Sequence, residues 1–289
     1  MSRQHQAGPV VVGGVGGSGT RVVAEMLQLL GFDIGCCLNR ALDNLWFTLL
    51  LKRPGWLHQP PATDDILEAL EVLTLASRRG MEQATERQQA LVHQAMAEHA
   101  GHGTTMGVDP REGERLLAHR PPGPPNPRWG WKEPNSQLFV DVLARRFDEL
   151  RYVHIIRHGL DMAFSGNDQQ VRNWGHWFGL RLRDPAAAAP AEKLEYWIRS
   201  NRRVLDQAHR LLASRFIVID FDRLWRDPEP SVDLLLGGLG LSPEPELRQH
   251  LCTLPQRPAS AGRWRERGLS AFSQRQIEAV RALGYPVDC

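Results

Sequence analysis

Hydrophobic residues mark out a strand, a loop and a helix near the amino end of the chain. Three valines at 10–12 precede a stretch dense in glycine, and apolar residues then recur at helical spacing up to Ile34. A short β-branched run next to glycine is typical of a buried strand, whereas a period near 3.6 residues indicates an amphipathic helix. The stretch Val10–Ile34 therefore predicts a strand, a phosphate-binding loop and a helix.

Further strands and helices alternate along the rest of the chain. Strands are predicted at Arg151–Ile156, which reads RYVHII, and at Phe216–Asp220. The spacing of apolar residues predicts helices over 64–99, with Thr63 as N-cap and a break at Gly80, and over 137–147, 191–212 and 273–283. We expect one domain over 1–289, with a flexible arm at 1–9. Residues 52–128 would form a helical and loop insertion that acts as a lid or wall for a substrate, or that simply packs on the edge of the sheet.

The glycine-rich loop has the composition of an oxyanion site. Glycine lacks a Cβ, so Gly16, Gly17 and Gly19 allow backbone N–H groups to approach an anion closely. Those groups would lie at the amino end of the next helix, where unpaired donors and the helix dipole favour negative charge. The neighbouring donors are Ser18, Thr20 and Arg21. The sequence therefore predicts that this loop binds a phosphate or sulfate group.

Two better-known patterns nearly fit the same loop. Gly14 and Gly19 have Walker A spacing, but Thr20 and Arg21 stand where a lysine and a magnesium-binding hydroxyl are required, which argues against a magnesium-dependent nucleoside triphosphatase. Gly14, Gly16 and Gly19 also match the dinucleotide fingerprint, with Asp33 near the position of the ribose-binding acid. A nicotinamide or flavin oxidoreductase is therefore an alternative.

Bulk properties exclude several classes of protein. The formal net charge is +2, so a nucleic-acid partner is not expected. The chain lacks an apolar run of about 20 residues and a signal-peptide core, so we expect no membrane span and a cytoplasmic location. The four cysteines include the adjacent pair Cys36 and Cys37, without zinc-ligand spacing or an accompanying Cys/His cluster in the sequence. Free thiols and no metal site are expected.

Two later segments carry candidate chemistry. Lys132 and Glu133 precede Pro134, at the predicted end of a short strand, where active sites collect in α/β proteins. Arg157 closes the strand at 151–156, and Ser165 follows eight residues later, about two turns into the predicted helix. Both could therefore contact one anion beside the first loop. Two phosphate-binding strand ends on one sheet predict a ligand with two separated phosphates.

These segments together resemble the sulfotransferases that use 3′-phosphoadenosine 5′-phosphosulfate (PAPS). In that family a Ser-Gly-Thr loop binds the 5′-phosphosulfate, and an arginine with a serine eight residues later binds the 3′-phosphate. Residues 16–21 are similar to the loop, and Arg157 and Ser165 fit the second pair. Lys132 resembles the active-site lysine of the Lys-Asp-Pro loop of the tyrosylprotein branch. Arg263 and Trp264 look like part of the late basic loop over the nucleotide.

The resemblance implies an α/β fold of three αβα layers around a mostly parallel, P-loop-like sheet with a helical insertion. It implies a sulfuryl transfer from PAPS to a hydroxyl or amine of a small-molecule, glycan or lipid acceptor, without a metal. Arg21, Lys132 or both would neutralise the transferring group, because Gly17 stands where the loop usually has a lysine or arginine. Asp43 and Glu133 are the candidate bases, with His58 a weaker third.

Several readings remain open from the residues alone. The missing loop cation also leaves room for a non-catalytic module that binds a nucleotide or a sulfated glycan. Trp174 and Trp177 could line an acceptor pocket or belong to the core. The sequence indicates neither the acceptor nor the oligomeric state.

Overall fold

The fold is described from a computed structural model, over residues 8–57, 59–102, 107–121 and 123–288. The strands are β1 (Val10–Gly14), β2 (Gly130–Lys132), β3 (Arg151–Ile156) and β4 (Phe216–Asp220). The helices of the first half are α1 (Thr20–Leu29), α2 (Leu45–Leu51), α3 (Thr63–Arg79), α4 (Glu86–His102), α5 (Pro110–Ala118) and α6 (Val140–Arg146). Those of the second half are α7 (Gly159–Ala163), α8 (Gln169–Trp174), α9 (Pro190–Leu212), α10 (Phe221–Arg226), α11 (Pro228–Leu239), α12 (Pro245–Thr253), α13 (Arg263–Arg267) and α14 (Gln274–Ala282).

The four strands form one parallel sheet in the order β2-β1-β3-β4. Val10 pairs with Gly130 on one side and with Arg151 on the other, so β1 lies at the centre. Parallel strands need long crossovers, and helices supply them here. The carboxyl ends of all four strands consequently meet at one edge of the sheet.

Side chains of β1 alternate between the two faces of the sheet. Val10 and Val12 pack against α1, α11 and α12, whereas Val11 packs into the larger core that contains α2, α3, α6 and α9. A period of two residues is expected of a strand that is covered on both faces. The predicted α/β fold with helical layers on both sides of a parallel sheet is therefore confirmed.

The helical insertion shares its core with the rest of the chain. Leu70, Leu73 and Val92 are fully buried in the same apolar cluster as Trp131 and Phe139. The insertion therefore packs against the sheet layer instead of building a core of its own. Its action as a lid stays a prediction.

Element boundaries differ from the sequence predictions at three places. Helix α3 begins at Thr63 with Ala62 at the N-cap, although Gly80 does end it. The predicted helix at 137–147 is a 3₁₀ turn over Pro134–Phe139 followed by α6. Helix α7 ends at Ala163, so Ser165 lies beyond it and not inside a helix. The sequence Ser165-Gly166-Asn167-Asp168 explains the early end, because these residue types favour turns.

Other predicted elements are confirmed. Strands β3 and β4 have the predicted bounds, α9 covers the predicted helix at 191–212, and α14 lies one residue inside each end of the helix predicted at 273–283. Ser273 caps α14 by accepting a hydrogen bond from the Gln276 N–H. Within the described ranges, no helix has both the length and the apolar character that a membrane span requires.

Two glycines should respond in opposite ways to the same substitution. A Cβ on Gly130 would lie 1.8 Å from the carbonyl oxygen of Val10 on the neighbouring strand, whereas Gly237 in α11 has open space around it. We expect Gly130→Ala to lower the free energy of unfolding by roughly 1–3 kcal/mol. Gly237→Ala should raise it by about 0.5–1 kcal/mol, since alanine favours a helix. Urea denaturation measures both free energies of unfolding. Equal changes in the two variants would contradict the close contact between Gly130 and the Val10 carbonyl.

Candidate active site

An open cavity of about 550 Å³ lies where the carboxyl ends of the strands meet. Its wall includes the loop after β1, Lys132 from the end of β2 and Arg157 from the residue after β3. Crevices at this edge of an open parallel sheet commonly bind ligands. The volume is within the range of about 300–1,000 Å³ that is typical of small-molecule sites. The predicted loop and the two predicted cations therefore come together in one cavity.

The loop after β1 is shaped by close approach to a neighbouring element. Gly19 caps α1 with φ of 100°, and a Cβ there would lie 2.2 Å from the ring of Phe221. Only glycine is compatible with that position. Ser18 is 1% exposed, and its hydroxyl oxygen is buried with no hydrogen-bond partner among the described residues. Ser18 is not among the residues that line the cavity, so its unpaired hydroxyl would meet a ligand only after a shift of the loop.

One backbone donor of the loop is already occupied. The Gly16 N–H donates to the side-chain oxygen of Gln170 at 2.7 Å, and the Gln170 amide donates to the side-chain oxygen of Asn135 at 2.9 Å. Asn135 in turn donates to Glu133. The backbone N–H groups in the first turn of α1 are better placed to bind an anion, because they lack partners inside the helix.

Arg157 is a buried cation whose hydrogen bonds go to neutral oxygens. Its guanidinium donates to the Gly17 carbonyl at 3.3 Å and to the Ser260 hydroxyl at 2.6 Å. The Nε–H is buried without a hydrogen-bond partner in the described ranges. Burial lowers the pKa of Arg157 from its usual value, since the charged form is poorly solvated. The charges of Asp222 and Asp161 raise the pKa of Arg157 and offset part of this effect, and an anion in the cavity would stabilise the cation further.

Lys132 and Asp43 form an ion pair on the cavity wall. The Lys132 ammonium donates to Asp43 at 2.5 Å and to the Ala41 carbonyl at 2.9 Å, and the lysine side chain is only 3% exposed. The Asn39 amide donates a further hydrogen bond to Asp43. Both residues line the cavity. A cation and a carboxylate are therefore held next to the phosphate loop.

Glu133 has other partners than this ion pair. It is 1% exposed, accepts two hydrogen bonds from Asn135, and lies 3.3 Å from the Lys52 ammonium. Burial raises the pKa of Glu133 above its usual value of 4.5, and Lys52 opposes that rise. Asp43, and not Glu133, is among the described residues on the cavity wall.

Arg21 is an exposed residue of the cavity wall. Its side chain is 58% exposed and lies 3.6 Å from Glu25, one helical turn later. Both residues line the outer part of the cavity. An exposed ion pair of this type contributes little stability, so Arg21 can change partner at low cost.

Comparison with known families identifies the chain. The model described as "Sulfotransferase family" matches residues 9–245, which is most of the chain and includes the loop, Lys132 and Arg157. The protein belongs to the sulfotransferase family. The dinucleotide alternative is thereby wrong, and the glycines at 14, 16 and 19 belong to a sulfotransferase loop. No curated protein matches the chain.

Solved sulfotransferase structures resemble this one at low identity. A sulfotransferase domain from the curacin biosynthetic pathway has 15% identity, covers 98% of this chain and 99% of its own, and gives a TM-score of 0.49. A sulfotransferase domain from the Synechococcus olefin synthase has 18% identity, 99% coverage of both chains and a TM-score of 0.47. A Mycobacterium avium sulfotransferase has 15% identity, covers 96% of this chain and 75% of its own, and gives 0.46.

Four predicted nucleotide-binding residues of this sulfotransferase, Ser18 among them, lie off the main cavity wall. Ser165 accepts a hydrogen bond from the Asn167 N–H, and Asn167 itself lines the cavity. Arg263 donates to the Phe164 carbonyl. Trp264 is 2% exposed, stacks on His158 and lines a separate cavity of about 380 Å³. That these four residues bind nucleotide stays a prediction.

Several residues of the cavity wall belong to no motif that the sequence shows. Gln256 and Arg257 line it from the segment after α12, and Ser260 holds Arg157. Pro255 and Pro258 flank Gln256 and Arg257, and rigid proline segments can fix a loop. The position of Arg257 between two prolines is the sequence signal for this part of the wall, and that signal is weak.

Trp174 and His58 add no described residue to the cavity wall. Trp174 is fully buried in the main core, in edge-on contact with Trp177, so the core interpretation is correct for Trp174. His58 lies outside the described residues.

Removing Lys52 should make the stability of this sulfotransferase more dependent on pH. A carboxyl whose folded pKa is raised destabilises the folded state as pH rises through the range where the unfolded chain ionises. Lys52→Met removes the partner of Glu133, so we expect a loss of about 3–5 kcal/mol near neutral pH and a much smaller loss below the usual value of 4.5. Urea denaturation at several pH values measures the difference.

The double variant Lys52→Met with Glu133→Gln is the control for this prediction. Without the carboxylate, the extra pH dependence should disappear. A pH-independent loss in the single variant would mean that Lys52 contributes packing and not charge compensation.

Proposed function

We propose that this protein transfers a sulfuryl group from PAPS to a hydroxyl or amine of a small-molecule, glycan or lipid acceptor. The observation that carries the proposal is the buried Arg157, whose named partners are neutral and which opens onto the same cavity as the glycine-rich loop and Lys132. A donor with a phosphosulfate and a separate phosphate matches this distribution of cations and N–H groups.

Unpaired polar atoms support the fit of such a donor. The Ser18 hydroxyl and the Arg157 Nε–H are both buried without a described partner, and buried polar groups normally have one. Ser18, Thr20 and the first-turn N–H groups of α1 would hold the phosphosulfate. Arg157 would hold the 3′-phosphate, with Ser260 fixing its orientation. Arg257, which is exposed on the cavity wall, could contribute a further cation.

When bound, PAPS would supply an activated sulfuryl group together with a good leaving group. The residues of the chain would contribute position and charge, because transfer reactions of this kind depend on preorganised donors more than on covalent catalysis. Lys132 is suited to stabilise negative charge on the oxygen that leaves. Its ammonium is nearly buried, so its charge acts in a medium that screens it weakly. Arg21 can turn from Glu25 towards the same group.

Asp43 is the base that we propose. It lines the cavity and is 17% exposed, so an acceptor hydroxyl can reach it, whereas Glu133 is buried behind Asn135. A carboxylate within hydrogen-bond reach of the acceptor could take its proton at an Oδ atom. Glu133 would act as a positioning residue, because it holds Asn135 and, through Gln170, the Gly16 N–H.

Turnover separates this proposal from a non-catalytic binding module. The purified protein is incubated with PAPS, a chelator and a panel of hydroxyl and amine acceptors, and the released adenosine 3′,5′-bisphosphate is measured by chromatography. Acceptor-dependent release is expected. Tight nucleotide binding without release across the panel, or release that requires added metal, would count against the proposal.

Arg157 should contribute to nucleotide affinity. We expect Arg157→Ala to weaken binding of adenosine 3′,5′-bisphosphate by roughly 2–4 kcal/mol, because a phosphate would lose a charge-assisted partner in a buried position. Arg210→Ala is the matched control, since Arg210 is exposed on α9 and pairs with Asp206. Isothermal titration calorimetry measures both. Equal affinities of the two variants would remove Arg157 from the phosphate site.

Lys132 and Asp43 should contribute to turnover instead. Lys132→Met is expected to lower kcat by about 10²–10³-fold, in the range seen when one preorganised donor is removed. Asp43→Asn should lower kcat by about 10²–10⁴-fold, since a base is lost. Bisphosphate affinity should stay close to that of the wild type in both. A loss confined to nucleotide affinity would reassign Lys132, and an unchanged kcat in Asp43→Asn would reassign the base.

A further inference from the structure

A second cluster of chemically reactive side chains lies outside the cavity. Cys36 and Cys37 follow α1, and their sulfur atoms are 3.4 Å apart. His119, which ends α5, brings a ring nitrogen to the same place, so that the three ligand atoms lie within 4.8 Å of one another. The sequence suggested that no Cys/His cluster accompanies the pair, and the structure corrects that expectation.

The spacing of these atoms is close to that of a tetrahedral metal site. Sulfur at about 2.3 Å and nitrogen at about 2.0 Å from a zinc ion are separated from each other by about 3.5–3.8 Å. The observed sulfur separation of 3.4 Å is near this value, and a small movement of His119 would bring its nitrogen into range. Two sulfurs and one imidazole nitrogen form a ligand set that suits Zn²⁺.

An independent feature of His119 also indicates a missing ligand. Its Nε2 atom is buried and has no hydrogen-bond partner in the part of the chain that the structure describes. A buried ring nitrogen usually has a partner, so an unpaired one next to two thiols is unusual. Metal coordination would satisfy it and would fix the ring orientation.

A bound dication would displace the protons of both thiols, because the thiolate and not the thiol is the metal ligand. With two thiolates and a neutral imidazole, the complete site would carry no net charge.

A disulfide is a poorer fit to the same pair. Adjacent residues have Cα atoms about 3.8 Å apart, and disulfides usually need at least about 4.4 Å. Both thiols are free in the structure. Cys37 is 7% exposed, whereas Cys36 is exposed, so a bound ion could keep a fourth position for water. We propose that Cys36, Cys37 and His119 bind a zinc ion, with one coordination position open to solvent.

The position of the cluster suggests what such an ion would do. The Cys37 carbonyl accepts a hydrogen bond from Leu45 at the start of α2, and the loop between them carries Asp43. His119 belongs to the insertion between α2 and β2. The ion would therefore connect the insertion to the loop that carries Asp43, and it would stabilise the folded state because a preformed site is rare in an unfolded chain.

Cobalt titration of the reduced full-length protein tests the proposal. Co²⁺ is used as the spectroscopic probe, and tetrahedral thiolate ligation gives sulfur-to-cobalt charge-transfer and intense visible ligand-field bands. We expect one equivalent to bind with these bands, and Zn²⁺ to displace it. Cys36→Ser and His119→Ala should each weaken binding by on the order of a hundredfold or more, because even residues that only orient a ligand cost roughly 10- to 100-fold.

Matched variants make the result specific. Cys252→Ser and His93→Ala change residues of the same type elsewhere in the chain and should leave the titration unchanged. Cys36 is exposed, so Cys36→Ser should fold even if His119→Ala does not. A thiol assay confirms that the cysteines are reduced. The absence of thiolate bands in the reduced wild type, or their persistence in Cys36→Ser at wild-type affinity, would overturn the proposal. The titration does not depend on PAPS, so it is separate from the proposed sulfuryl transfer.

Discussion

The pairing of β1 with a parallel strand on each side is the constraint on which the site depends. Val12 is in register with Lys132 of β2 and with Val153 of β3. Because all strands run in the same direction, the loop after β1, Lys132 and Arg157 emerge at one edge of the sheet. A shift of one residue in either pairing would turn the inward side chains to the opposite face and separate these groups.

The cavity at that edge contains two buried cations, Lys132 and Arg157, whose partners differ in charge. Lys132 is paired with Asp43, whereas the named hydrogen bonds of Arg157 go to neutral oxygens. The charges of Asp222 and Asp161 offset only part of the cost of burying Arg157, so an anionic ligand would stabilise it further. The paired lysine can respond to charge that changes during a reaction, and the arginine can hold a charge that does not change. This difference is the physical basis for assigning Lys132 to transfer and Arg157 to nucleotide binding.

Local patterns were enough to predict the frame of the fold and part of the site. β-branched runs defined β1, β3 and β4, and glycine spacing defined the phosphate loop. Long-range packing decided what the sequence could not. Asn44 donates its backbone N–H to the Lys132 carbonyl, and this contact brings Asp43 next to the lysine. The approach of His119 to Cys36 likewise depends on the fold of the insertion. Ser165 was placed in a helix because spacing alone carries no information on where α7 ends.

Calorimetric titration of the wild-type protein with adenosine 3′,5′-bisphosphate, beside adenosine 5′-monophosphate and NAD⁺ and with a chelator present, tests the central claim most directly. The account predicts micromolar, metal-independent binding of the bisphosphate and much weaker binding of the monophosphate, since only the former carries the phosphate assigned to Arg157. Equal affinity for the bisphosphate and the monophosphate would contradict the two-phosphate site. Preferential binding of NAD⁺ would contradict the assignment of the cavity as a whole.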